Sequence, residues 1–331
     1  MSENDNRKAA VKKIKLLVYN QKMNMNVYRQ KIDDAYTVPI LPNKVELSEH
    51  NYGGVACDVF SPEIYSSKRV TFYIHGGCFV GGSRAAYRSF CAMIANKTFS
   101  RVVVPEYRLA PVTPFPSAIE DIQSVFRSLF TEEQIDRSLD SEVPEFVIAA
   151  DGAGASIALA LLLNLKDKFR KCIKKVVLFS PWLNVSDSSA LFTGKKKMSD
   201  EILSSDVIQQ CASLYTYESN FKNPLVSPAL ASSDLLEGFP PVYIQCGGKE
   251  ILLNDIRSFE DLLKNNNVEC KVDVWPDMMH LFQLADDLLE DAHHAFERLA
   301  AEISGIDNEN IERQTYENKP RLEDSLKRTE A

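Results

Sequence analysis

The chain has 331 residues, and its 46 acidic side chains outnumber 38 basic ones for a formal charge of −8, so no basic field exists to gather a phosphate backbone and nucleic acid is excluded as a partner. With 45% hydrophobic and 25% charged residues, 13 Gly and 15 Pro, the composition is that of a folded globular protein and excludes collagen-like, coiled-coil and disordered chains. Seven cysteines (Cys57, Cys78, Cys91, Cys172, Cys211, Cys246, Cys270) lie outside any CxxC or zinc-finger spacing, and read as reduced, buried thiols with no metal or cofactor implied.

The first residues, MSENDNRKAAVKKIK, are charged and develop no apolar stretch of signal-peptide or membrane-span length, so a cytoplasmic protein without a membrane span is expected. Between 8 and 36, apolar residues recur near helical spacing (Val11, Ile14, Leu17, Met23, Val27, Ile32), predicting one or two peripheral amphipathic helices in a segment 1–43. From 44 the pattern changes to short apolar or alternating runs at 45–47, 55–60, 70–74, 102–104, 146–149, 176–179, 242–245 and 272–275. Helical stretches are expected at 86–98, 117–130, 153–167, 249–265 and 283–304. Strand–helix alternation with short links predicts an α/β domain over 44–304, a mostly parallel sheet covered by helices on both faces, with antiparallel pairing where two strand runs follow each other directly. Residues 181–240 interrupt the alternation, and are read as an insertion forming a helical cap at the ligand-binding edge. The segment 305–331 is polar and expected to be unstructured or loosely helical.

Three segments bear on chemistry. His75-Gly76-Gly77-Cys78-Phe79 follows the strand VTFYI, and glycine pairs there turn successive N–H groups toward one point, as an oxyanion requires. Arg108, in EYRLAP, reads as a structural residue paired with a nearby carboxylate, and Lys195 to Lys197 as a solvated loop. The third segment places a strand (145–150), the small-residue turn Asp151-Gly152-Ala153-Gly154-Ala155 and an apolar helix in succession, the setting of a nucleophile elbow. The nucleophile belongs at 152, where glycine has no side chain.

HGGCF, EYRLAP followed by FP, ADGAGAS, SPW at 180–182, NPLVSPAL, GGKEILLND from 247 and WPDMMHLFQ from 275 occur in one order. In that order the chain, from about 44 to 303, resembles the hormone-sensitive-lipase-like carboxylesterases of the α/β-hydrolase fold. The resemblance implies that Gly76 and Gly77 serve the oxyanion loop, with Cys78 where a third glycine is customary, and that Ala153 gives the remaining N–H. It implies His280 as the base, Glu250 or else Asp255 as its acid partner, a small ester or apolar molecule as ligand, and a homodimer through the last strand and helix. Ser156, one turn further along the helix, would lie ~5–6 Å deeper and away from His280. Asp151 would point to the other side of the turn, and His293 and His294 into solvent. The expected function is a catalytically impaired esterase homologue, a pseudoenzyme. The alternatives are an ester hydrolase in which His280 and Glu250 activate water or a non-standard nucleophile such as Cys78, and a scaffold that binds protein. Open space between Gly152 and His280 would favour a ligand; filled space would favour the scaffold.

Overall fold

The computed structural model describes residues 3–19, 23–36, 39–64, 69–137, 143–193 and 200–317. Two helices, α1 (Glu3–Lys15) and α2 (Met25–Ala35), precede a hairpin of β1 (Val45–Tyr52) and β2 (Val55–Pro62). There follow β3 (Val70–Ile74), α3 (Arg88–Thr98), β4 (Arg101–Pro105), α4 (Ser117–Arg137), β5 (Phe146–Asp151), α5 (Gly152–Asn164), α6 (Asp167–Arg170) and β6 (Ile173–Phe179). After α7 (Ala190–Thr193) and α8 (Ser205–Tyr215) come β7 (Val242–Gly247), α9 (Leu253–Asn265), β8 (Cys270–Trp275) and α10 (Glu290–Glu317).

All eight expected strand runs form one sheet in the order β1-β2-β4-β3-β5-β6-β7-β8. β2 pairs antiparallel with β1 and β4, and every later pairing is parallel. This is the α/β-hydrolase arrangement. The central strands are unbroken apolar runs because both faces are covered: every residue of β3 and β5 is buried. Helix α5 is apolar on all sides and buried from Gly152 to Leu163, as a helix enclosed by its neighbours must be. Gly154 permits that enclosure, since a Cβ there would meet the Ile74 and His75 carbonyl oxygens at 2.4 and 2.3 Å.

Residues 282–285 form a single 3-10 turn, and α10 continues beyond 304 to Glu317, so 305–317 extend a helix already nucleated and packed, at little cost per added residue. The remainder, 318–331, lies outside the described residues, as does the Lys195–Lys197 run. Among the described residues no helix is long and apolar enough to cross a membrane.

Candidate active site

Strand β5 ends at Asp151 and α5 begins at once with Gly152 at φ +46°, a left-handed conformation that costs glycine little. A Cβ placed on Gly152 would lie 4.0 Å from His280 Nε2 and 3.9 Å from Leu281 Cδ1, in ordinary van der Waals contact. Position 152 therefore faces the imidazole across open space. The turn is held from the other side by Trp182, whose N–H donates to the Gly152 carbonyl at 2.9 Å.

His280 and Glu250 arrive on the loops after β8 and β7. Those loops are stitched together where Gly248 N–H donates to Trp275 O at 2.7 Å and Lys249 N–H to Met278 O at 3.0 Å. The result sets His280 Nδ1 3.2 Å from Glu250 Oε2, with both side chains buried. Of the two acids the sequence left open, Glu250 is the one at the histidine. Asp255 instead accepts from the Ser189 hydroxyl and from Ala190 N–H at 2.7 Å. Burial works against charging His280, but the hydrogen bond and negative charge of Glu250 outweigh it and hold the imidazole above its ordinary value.

The loop after β3 is shaped by its neighbours. His75 is wedged between Tyr107 and Tyr87, with ring centroids 4.4 and 5.4 Å away, and burial pulls its pKa down to about 4, so Nδ1–H donates to Gly76 O at 2.8 Å from a neutral ring. Gly77 (φ +118°), Cys78 (φ +57°) and Phe79 (φ +65°) then make a tight turn closed by Gly81 N–H to Gly77 O at 2.8 Å. The expectation for Gly76 is corrected here: its N–H donates to Asp151 Oδ1 at 2.8 Å and is spent beneath the loop. The same carboxylate accepts from the hydroxyls of Tyr73 and Tyr87 at 2.6 and 2.7 Å. Asp151 thus points away from the turn's open side, as expected, and anchors the loop there.

Gly77, Cys78, Gly152, Ala153, Trp182 and His280 surround a cavity of about 20 Å³, completed by Leu17, Val18, Leu203, Ile208, Leu252 and Leu281. That volume holds about one water molecule. The space between Gly152 and His280 is thus open but small, and a separate, much larger cavity of about 260 Å³ is lined by residues of the N-terminal segment, α3 and α10. Leu17 lines both cavities. Ser156 donates to the Trp182 carbonyl and does not reach the smaller cavity. Arg108 pairs with Asp121 and Glu120, and the half-exposed His293 and His294 pair with Asp286 and Glu297. Among the described residues no group of three or more His, Cys, Asp or Glu side chains could hold a metal.

Sequence reasoning missed the wall made by Leu17 and Val18, because the N-terminal segment reads as peripheral and nothing local says where α1 docks. It also missed the anchoring role of Asp151, for which a buried acid beside the turn, with tyrosines at 73 and 87, was the available signal.

Three comparisons bear on this geometry. Residues 71–284 match the family model described as alpha/beta hydrolase fold. An esterase of Acinetobacter venetianus is 30% identical over 243 residues, covering 73% of this chain and 77% of the relative, and an acetyl-hydrolase of Streptomyces hygroscopicus is 29% identical over 231 residues, covering 69% and 73%. The crystal structure of an esterase from the bacterial hormone-sensitive lipase family superposes with a TM-score of 0.78 at 26% identity, over 92% of this chain and 98% of that one.

Proposed function

The chain belongs to the hormone-sensitive-lipase-like carboxylesterases of the α/β-hydrolase fold, and from that premise we propose that it is a catalytically impaired member in which the covalent step of acyl transfer is lost. One observation carries the reading: the residue whose added Cβ would lie 4.0 Å from His280 Nε2, at the nucleophile's place, is Gly152, which has no side chain and so no hydroxyl to activate. The rest of the machinery supports the same reading. In it, Glu250 orients His280, and the N–H groups of Gly77, Cys78 and Ala153 face the position of a carbonyl oxygen, with Cys78 taking the part first assigned to Gly76. Segment 1–43 and insertion 181–240 act as the cap, and a homodimer would use the edge at β8. In such sites, binding and the oxyanion donors alone sustain only ~10³–10⁴-fold acceleration over water.

A second reading has its own support. The cavity of about 20 Å³ touches both Gly152 and His280, so one water could sit where the missing hydroxyl would be. Such a water, deprotonated by His280 with Glu250 behind it, would attack an ester directly by general-base catalysis. A small ester or apolar ligand would be bound in either case, its bulk in the larger cavity once Leu17 moves aside.

The two readings separate in a p-nitrophenyl acetate assay of the purified chain. The impaired reading predicts hydrolysis within about tenfold of a His280→Ala variant, since a histidine with no nucleophile to activate contributes little of the ~10²–10⁴-fold available to general-base catalysis. Turnover like that of ordinary esterases, abolished by His280→Ala, would refute it in favour of activated water.

A further inference from the structure

The larger cavity, of about 260 Å³, shares only Leu17 with the small one at His280 among the described residues, and burial gives it two unlike ends. Its inner end is aromatic. Phe90 of α3 and Phe296 of α10, both buried, stand with ring centroids 5.3 Å apart and planes 57° from parallel, and Ala86, Met93 and Leu17 extend the apolar lining. Its outer end is charged. There Lys13 pairs with the half-exposed Asp287 at 2.6 Å, and Asp286 is paired with His293 at 3.1 Å. One buried polar side chain interrupts the apolar end. Gln283, in the 3-10 turn at 282–285, lines the cavity and is 1% exposed. Its amide N–H donates to the Gln245 main-chain carbonyl at 3.5 Å, which sets the orientation of the amide, because the reverse would press two carbonyl oxygens together. The other end, Oε1, is buried without a hydrogen-bond partner among the described residues, and it is the one such atom on a residue lining this cavity. An unpaired buried acceptor is unfavourable and rare in native proteins, so it calls for an occupant that donates to it.

We propose that this cavity is a binding site for a neutral molecule of one or two flat apolar rings carrying a single N–H or O–H, which donates to Gln283 Oε1. Size sets the number of rings: an apolar cavity of ~150 Å³ takes up benzene, so about 260 Å³ admits a second fused ring. The walls favour flat rings. Two phenylalanines inclined to each other offer a face and an edge for a third ring to pack on, and Met93 adds a polarizable thioether. Charge is disfavoured, because the carboxylates at the mouth already hold Lys13 and His293, and an ion carried inward would lose its hydration without meeting a counter-charge. The donor is specified by Gln283 itself, whose free end can only accept.

This goes beyond the ester pocket proposed above, since it assigns a ligand chemistry to contacts of the larger cavity alone. Neither Gly152 nor His280 lines that cavity, so the site stands whether or not the chain hydrolyses esters.

Calorimetric titration of the full native chain with indole and with benzofuran tests the site, since the two molecules match in shape and only indole has an N–H. Indole is expected to bind about ten- to hundredfold tighter, because benzofuran leaves the buried acceptor unpaired. Gln283→Leu should erase that preference by weakening indole while benzofuran still binds, which also shows that the variant is folded. Met93→Trp, which fills the cavity from α3, should remove the binding of both. The native comparison needs no variant to fold. No saturable binding of indole to the native chain at millimolar concentration, equal affinity for the two molecules, or indole binding untouched by Met93→Trp would each overturn the site.

Discussion

Gly152→Ser is expected to raise p-nitrophenyl acetate hydrolysis by ~10²–10⁴-fold over the native chain. The upper bound comes from serine hydrolases of known mechanism, in which loss of the nucleophile costs up to about 10⁶ in kcat, and the site here has no reason to be tuned to that limit. The lower bound follows from what already stands in place. The new Cβ meets nothing closer than 3.9 Å, His280 Nε2 is 4.0 Å from it, and the imidazole is oriented by Glu250 at 3.2 Å. A serine adds one more atom toward the histidine and brings its hydroxyl within hydrogen-bond reach.

The substitution has a cost, since a side chain at φ +46° is strained by about 1–3 kcal/mol, and the variant should unfold at correspondingly lower denaturant. Its rate should rise with pH as His280 loses its proton. Because Glu250 holds that histidine above its ordinary value, the acidic limb of the profile should lie above pH 6.5, and adding Glu250→Gln should move it to lower pH. A folded Gly152→Ser protein with unchanged hydrolysis would mean that the donors around Gly77 and Ala153 no longer converge.

The largest effect on stability is expected at Asp151. Its carboxylate is fully buried and accepts from the Tyr73 hydroxyl, the Tyr87 hydroxyl and Gly76 N–H. Asp151→Ala strips three buried donors of their acceptor, at about 1–3 kcal/mol each, so a loss on the order of 3–6 kcal/mol is expected in urea unfolding. Asp151→Asn keeps an acceptor oxygen and should lose less. The sign of the pH dependence is fixed by the carboxyl's shift: burial raises it from 3.8 to about 6 against the pull of its three donors. The folded state then holds the proton more tightly than the unfolded state. Its contribution to stability is fully present below about pH 4, declines as pH rises through 4 to 6, and is flat above. Asp151→Asn should abolish that decline, and an unaltered slope in the variant would show that another group is responsible.

Much of this architecture was legible because it rests on patterns that burial enforces. Strands covered on both faces must be continuous apolar runs, and all eight appear at 45–47 through 272–275. The turn at 151–155 reads as an elbow because only small residues let α5 approach β3, and Gly154 meets two carbonyl oxygens closely enough to exclude any side chain. The site was legible as far as residue types allowed. His280 and Gly152 were placed by motif order, while Glu250 and Asp255 stand within one turn-rich run whose spacing does not say which faces the histidine. Two features had no local signal. The N–H of Gly76 is diverted by a carboxylate 75 positions away, which no reading of HGG reveals. Leu17 and Val18 become part of the cavity only because α1 docks against the loop following β8.

On the proposed function, a site built to acylate a serine survives with the serine gone. Intact-mass analysis after exposure to a p-nitrophenyl alkylphosphonate tests it directly, because that reagent stays bonded to an activated hydroxyl. The native chain should gain no mass, while Gly152→Ser should gain one phosphonyl group, mapped to position 152 and lost again when His280→Ala is added. A phosphonyl adduct at any residue of the native cavity, or a folded Gly152→Ser protein that stays unlabelled, would contradict it.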